Sequence, residues 1–513
     1  MNMKLYISAI LGVSILSACT KNFVAENTNP DAVSTPIPEY VFTKALYDGM
    51  GNGSGTYGGS TMYLLQGTMQ YTTSYNDVAG FGSKYVAAQT QQTFGTFNAA
   101  YPDEINELGI VIKAVKNDPA KVNLLAAARI WRVFCFSRIT DLYGDVPYFQ
   151  AGLGYDSSVY KPAYDPQQSI YMDMLSELDA SAQSFDAAKA TFGAADLIYG
   201  GNIAQWKKFT YSLMLRLAMR LTKVDIASAQ SWATKAIAGG VITADADIAK
   251  IPYLSAGQVI NQNPMAYSLW NSDYIAQDGN SNAEGGKYQD VWINYLKSTN
   301  DPRLPIISIV YNNGVADTSV GIQQGMPANI QYNKPANFGT YSEPNPKTVL
   351  LLGSNQLVFS AAESYFLLTE AALRGWYNGS TAAALYTLGV QAALRNWSII
   401  AGAAGTINSA AINDYVAANT LNVAGTLDQQ MRQIYTQFWV SIFPDATEAY
   451  SSYRRTGYPA LVGNNYPGNA TGGNIFRRCL YPTSEQTLNA DAYKAAVARQ
   501  GADDLMTHIW WDK

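Results

Sequence analysis

Histidine is almost missing from this 513-residue chain: there is one, His508, close to the end and beside Ile509-Trp510-Trp511. Any nucleophile–histidine couple would have to use that single ring, and a packing or surface role suits it better. Cysteine is nearly as scarce, at three, so metal sites built from His and Cys clusters are excluded by count. Cys135 falls in an apolar helical pattern and Cys479 in a C-terminal loop. The sequence leaves one disulfide between them open, but a single pair is no disulfide scaffold. Charge is thin as well, with 34 basic against 39 acidic residues and a net charge of −5. Without a basic stripe to neutralise a phosphate backbone, nucleic-acid binding is disfavoured. Past the N-terminus no stretch approaches the roughly 18 uninterrupted apolar residues that a membrane-spanning helix needs.

What is abundant is apolar and aromatic surface. At 48% hydrophobic residues the chain can bury a large core, as one big domain or two intimately packed lobes. Its 36 Tyr and 10 Trp combine a flat apolar face with a polar edge, which suits packing against sugars or peptides as well as core filling.

The N-terminus has its own logic. Lys4 provides a positive n-region and Tyr6 to Leu16 an apolar h-region too short to span a bilayer. Leu16-Ser17-Ala18-Cys19 follows and resembles the bacterial lipobox. Residues 1–18 are therefore expected to be a signal peptide, with Cys19 the lipidated mature terminus, residues 19–40 a surface tether, and 41–513 one domain held to the membrane by lipid alone.

Along that domain, residues 49–60 form a glycine-rich stretch. It lacks the preceding strand and the closing Lys-Ser/Thr of a phosphate loop, and is expected to be a flexible loop. Residues 206–221 show helical spacing, with Trp206, Phe209, Leu213, Leu217 and Leu221 on one face and Arg216 and Arg220 off it. A second such helix runs over 431–442 through Ile434, Tyr435, Phe438 and Trp439. Residues 123–143 are apolar nearly all round, as in a central helix, and Gly144 and Pro147 end it. The stretches 361–375 and 380–397 predict a helical hairpin, with Glu370 and Arg374 paired at i, i+4. Residues 250–355 turn to Asn, Gly, Pro, Tyr and Trp, with one short amphipathic piece around Tyr288 to Leu296. A stretch this long without regular structure is usually functional. Asp278, Asn280 and Asn282 alternate as in a calcium loop, but Ala283 and Gln289 stand where Gly and Glu are needed. Glu363 and Glu370 share a helix face and are expected to be ion-pair partners, not a glycosidase pair.

Several segments together resemble one family: Asn27-Thr-Asn-Pro-Asp31, Arg138-Ile-Thr-Asp-Leu-Tyr-Gly-Asp-Val-Pro-Tyr148, Asp196-Leu-Ile-Tyr-Gly-Gly-Asn202 with Trp206-Lys-Lys-Phe209 and Leu215-Arg-Leu-Ala-Met-Arg220, and Asn300-Asp-Pro-Arg-Leu-Pro305. Glu370-Ala-Ala-Leu-Arg-Gly375, Tyr453-Arg-Arg-Thr-Gly-Tyr-Pro459 and Arg477-Arg-Cys-Leu-Tyr-Pro482, followed by Glu485 and Asn489, complete the set. In this order behind a lipobox, they resemble the SusD/RagB-type nutrient-binding outer-membrane lipoproteins across nearly the whole mature chain. The resemblance implies an all-α fold of tetratricopeptide-like helical hairpins with long irregular loops as the ligand face. It also implies a non-enzymatic role without cofactors, capturing glycans or peptides for a SusC-like TonB-dependent transporter at the outer membrane.

The motif residues themselves suit structural roles: Asp141 and Asp145 to cap the central helix, and Arg454, Arg455, Arg477 and Arg478 to tie loops to carboxylates and carbonyls. Ligand contacts are therefore expected outside the motifs, from Trp270, Tyr274, Tyr288, Trp292 and Tyr311 of the irregular region, with Tyr75 and Asn76 from an earlier loop. A lipid-anchored glycoside hydrolase and a helical-repeat interaction scaffold are the two rival readings.

Overall fold

Caps and chain breakers set the helix ends in the computed structural model, which describes residues 36–52, 61, 63–153, 158–271 and 285–513. The expected signal peptide, Cys19, most of the tether, residues 53–60 and Tyr274 lie outside the described residues, as does the side chain of Trp270. The principal helices are α1 (Pro38–Tyr47), α2 (Asn106–Val115), α3 (Val122–Tyr143), α4 (Gln167–Ser184), α5 (Ile203–Arg220) and α6 (Ile226–Gly239). They continue with α7 (Pro264–Asn271), α8 (Asp290–Ser298), α9 (Ala361–Leu373), α10 (Ala382–Ala401), α11 (Leu427–Ile442), α12 (Ala446–Thr456) and α13 (Ala490–Gln500). Residues Glu39–Lys513 make one compact unit.

α3 stops where Gly144 takes φ +82 and donates its N–H to Thr140 O. Asn202, Asp225, Ser360, Thr381 and Thr426 each accept a first-turn N–H at the start of α5, α6, α9, α10 and α11, satisfying donors the helix cannot. Thr426 does so in a reciprocal capping box with Gln429. Asp145 corrects the expectation: it accepts from the N–H of Gln167, so it caps the start of α4 and not the end of α3.

The helices pack on their neighbours, α3 on α2 and α4, α5 on α4 and α6, α9 on α10, and α11 on α9 and α12. This is the all-α, tetratricopeptide-like hairpin scaffold expected from the sequence. α3 is buried nearly all round, and Trp206, Phe209, Leu213, Leu217, Tyr435, Phe438 and Trp439 join it in one core. Arg216 and Arg220 depart from expectation, because both are buried on the flank of α5. Arg216 bonds Glu363 through Nε at 2.6 Å and Nη2 at 2.7 Å, while Arg220 reaches Glu448 at 2.5 Å. Periodicity places a charge off the apolar face, but partners on α9 and α12 cover that flank too. Cys135 and Cys479 are both buried and free, so the open disulfide is absent.

Residues 250–355 are less irregular than the sequence suggests. β1 (Thr72–Ser74) pairs antiparallel with β3 (Gly286–Tyr288), and β2 (Ala249–Ile251) with β7 (Gln356–Phe359). β4 (Ser308–Asn312) lies between β5 (Val315–Asp317) and β6 (Glu343–Pro344). Tyr288 N–H donates to Ser342 O, joining β3 to the segment that leads into β6. These short strands and α8 fix a loop-rich layer against the helices.

Candidate functional site

Two of the residues singled out from the sequence are corrected by their depth. Tyr288 and Trp292 are fully buried. Trp292 meets the Trp439 ring edge-on at 4.8 Å and lies 4.9 Å from Tyr71, while Tyr288 donates its hydroxyl to Ile307 O. They anchor the loop layer to α11 and offer no ring to a ligand. The spacing of Trp292, Ile293 and Leu296, all buried, is the helical signature that marks the first of these as core.

Tyr75, by contrast, is half-buried, while its neighbour Asn76 is buried. β1 carries the chain out of the core and delivers Tyr75 half-buried against Phe338, edge-on at 5.4 Å. Gly285 leaves space for that ring: at its φ of +68, a Cβ would come within 2.1 Å of it. Asn76 turns the chain by accepting the N–H of Val78 at 2.8 Å, which leaves its Nδ2 pointing to the Tyr332 hydroxyl at 3.5 Å. Tyr332 is 62% exposed. Phe338, Met326 and Tyr341 form a small apolar cluster of their own beneath this surface. Tyr311 is half-buried on β4, opposite Ala316 of β5.

Cations support the cluster from below. Lys287 is buried, pairs with Glu343 at 2.5 Å and sits 4.6 Å from the Phe338 ring centroid. Lys84 donates to Tyr75 O at 3.1 Å and lies 4.7 Å over the Tyr466 ring, whose hydroxyl donates to Asp77 at 2.8 Å. Burial pulls the Lys84 ammonium down to about 8, against the opposing pull of Asp77. Exposed Lys334 stands 5.2 Å from Phe338 on the outer side. Among these rings Tyr332 is exposed and Tyr75 half-buried, with Phe338 and Tyr341 buried beneath them.

Sequence reasoning missed Tyr332, Phe338, Tyr341, Tyr466 and Lys84. The dense Tyr332-Asn-Lys-Pro-Ala-Asn-Phe338 segment was the available signal, but only folding brings Lys84 and Tyr466 to it.

The two carboxylates singled out from the sequence are both engaged. Glu363 is held at both oxygens by Arg216, and Glu370 accepts from Arg455 at 3.0 and 2.8 Å and from Arg374 at 2.8 Å. His508 Nδ1 bonds Asp512 O at 2.7 Å near the C-terminus. The motif arginines bind as expected: Arg454 to the carbonyls of Asp141 and Arg477, and Arg477 and Arg478 to Asp512 and Asp503. Among the described residues, no group of three or more His, Cys, Asp or Glu is placed to hold a metal ion, and no helix is long and apolar enough to cross a membrane.

Residues 30–482 match a family profile described as SusD-like, starch-binding associating with outer membrane. No curated protein matches the chain. Among solved structures, a chitin-binding protein is 29% identical, with a TM-score of 0.80 over 93% of this chain and 100% of that one. A SusD homolog from Bacteroides uniformis is 24% identical, with a TM-score of 0.78 over 93% and 99% of the two chains. A chitin-binding SusD homolog from Flavobacterium johnsoniae is 24% identical, with a TM-score of 0.73 over 92% and 98%.

Proposed function

The chain belongs to the SusD-like family, and from that premise we propose that it captures oligosaccharides at the outer membrane, without cleaving them, and delivers them to a SusC-like TonB-dependent transporter. The observation that carries the binding reading is the exposed Tyr332 ring beside half-buried Tyr75, braced by buried Asn76, Lys84 and Lys287. Such rings stack on the apolar faces of sugars while amides take their hydroxyls. Retention at the membrane rests on the Cys19 lipid anchor, with the binding face turned to the exterior.

Glu363 and Glu370 are both locked by arginines, which argues against them as a glycosidase pair. The 29%-identical chitin-binding relative makes β-linked N-acetylglucosamine oligomers the first ligands to test, ahead of malto-oligosaccharides and peptides. Titration calorimetry on the purified protein should give saturable binding to one oligosaccharide class, with no new reducing ends on prolonged incubation. Release of shorter products, lost on removing one carboxylate, would move the protein to the hydrolases.

A further inference from the structure

Away from Tyr332, the turn that carries Phe97 to Pro102, the loop around Pro147 to Pro162 and the short helix Glu485–Leu488 border a surface cleft of about 910 Å³, counting the part open to solvent. Sites for small ligands run to roughly 300–1,000 Å³, so the concavity is of ligand size. It shares no lining residue with the surface around Tyr332.

The walls are fastened to one another. Tyr164 donates its hydroxyl to Glu485 at 2.8 Å, Asn489 Nδ2 donates to Pro162 O at 2.9 Å and Arg499 donates to Tyr164 O at 2.9 Å, which ties the loop to the C-terminal helices. On the opposite side the Tyr101 hydroxyl donates to Pro147 O at 2.8 Å. A cleft braced in this way stands open before a ligand arrives, and the ligand is spared the cost of ordering it.

The walls present two kinds of surface. Tyr160 is 74% exposed and Leu488 68%, and Tyr101 is half-buried, so ring and aliphatic area here remains in water until an apolar face covers it. Asn98 and Gln150 are exposed amides. The Ala163 N–H donates to Gln150 Oε1 at 2.8 Å, which leaves Gln150 its amino group to donate. Glu485 is half-buried, and its partners are the Tyr164 hydroxyl and the Asn489 amide, not a cation. Such a carboxylate accepts from hydroxyls and repels an acidic ligand.

We propose that this cleft is a second carbohydrate site, for a short neutral oligosaccharide. The Tyr160 ring covers the apolar face of a sugar unit, the amides of Asn98 and Gln150 bond its hydroxyls and Glu485 accepts from a further hydroxyl. The site stands apart from the Tyr332 surface and binds independently of it.

The test uses the full-length protein in detergent, with calorimetry against two neutral probes, the N-acetylglucosamine trimer and maltotriose, and trigalacturonic acid as the acidic control. Tyr332→Ala should still bind one neutral trisaccharide saturably and the acid not at all. Adding Tyr160→Ala to it should weaken that remaining binding at least fivefold and leave the melting temperature unchanged, because the ring is 74% exposed. A crystal of the parent soaked in the bound trisaccharide should show a sugar unit against Tyr160. A trisaccharide bound by the parent and lost in Tyr332→Ala overturns the second site and leaves the surface reading standing. Equal binding by the parent and Tyr332→Ala, lost on removing Tyr160, supports the second site and overturns the surface one. Unchanged affinity in the double variant, equal binding of the acid, a soaked crystal without sugar in the cleft, or binding of neither neutral probe also overturns the second site.

Discussion

Trp292 and Tyr332 separate what an aromatic side chain does in this protein. The first is buried among Tyr71, Trp439 and Phe443, so Trp292→Ala should cost about 3–5 kcal/mol of folding stability in chemical denaturation. The second is 62% exposed, and its hydroxyl lies 3.5 Å from Asn76 Nδ2. Replacing it with Ala should leave the melting temperature nearly unchanged and weaken oligosaccharide affinity severalfold, since a stacked ring contributes on the order of 1 kcal/mol beyond area burial. Equal losses of stability in the two variants would return Tyr332 to packing. Composition alone does not distinguish the two residues, because an aromatic-rich stretch looks the same whether its rings face in or out. Spacing does better: the buried residues of α8 recur helically, whereas Tyr332 sits in a Pro- and Asn-rich loop.

At the scale of elements, buried ion pairs decide how the hairpins meet. Glu370 of α9 joins Arg455 of α12, and Arg216 and Arg220 of α5 join Glu363 of α9 and Glu448 of α12. Burial would raise the Glu370 carboxyl, but Arg455 and then Arg374 outweigh it and hold it down to about 2, from an ordinary 4.5. A depressed carboxyl contributes stability in full above its unfolded value, and that contribution is lost as pH falls from about 4.5 towards 2. It amounts to about 3 kcal/mol. Unfolding free energies of the parent and of Glu370→Gln, measured from pH 6 to pH 2, should therefore converge by roughly that amount; a constant difference across the range would show that the carboxyl is not depressed. The α9–α10 contact offers a second test, because Gly389 faces the Phe366 ring at 3.0 Å from where a Cβ would lie. Gly389→Leu must push that ring aside and should cost about 1–3 kcal/mol.

At the scale of the whole molecule, the proposed tie to the membrane is the lipid on Cys19. Cys19→Ala should move the protein from the outer-membrane fraction to the soluble fraction. Sedimentation of that variant with outer membranes after salt washing would mean that protein contacts retain it.

Fold class was legible in the residue pattern because helices are local. The apolar spacing of 206–221 and 431–442, the all-round apolar run of 123–143 and the Gly144 and Pro147 stops each need only neighbouring residues to act. Caps such as Thr426 with Gln429 work over the same short reach. The candidate site was less legible: Tyr75 is half-buried and Asn76 buried, and Tyr288 and Trp292 are core. Which ring faces solvent depends on what covers it, and the covering groups come from far along the chain, as Trp439 covers Trp292 and as Tyr466 meets Lys84. The same reach decides charge. Arg216 and Arg220 look like solvent-facing groups on an amphipathic helix until α9 and α12 bring carboxylates to them. Sequence by itself therefore determined the helices and their order, through interactions within a few residues. Only the tertiary structure decided which aromatic rings are exposed and which charges are buried, because burial is a property of contacts that the chain makes only once folded.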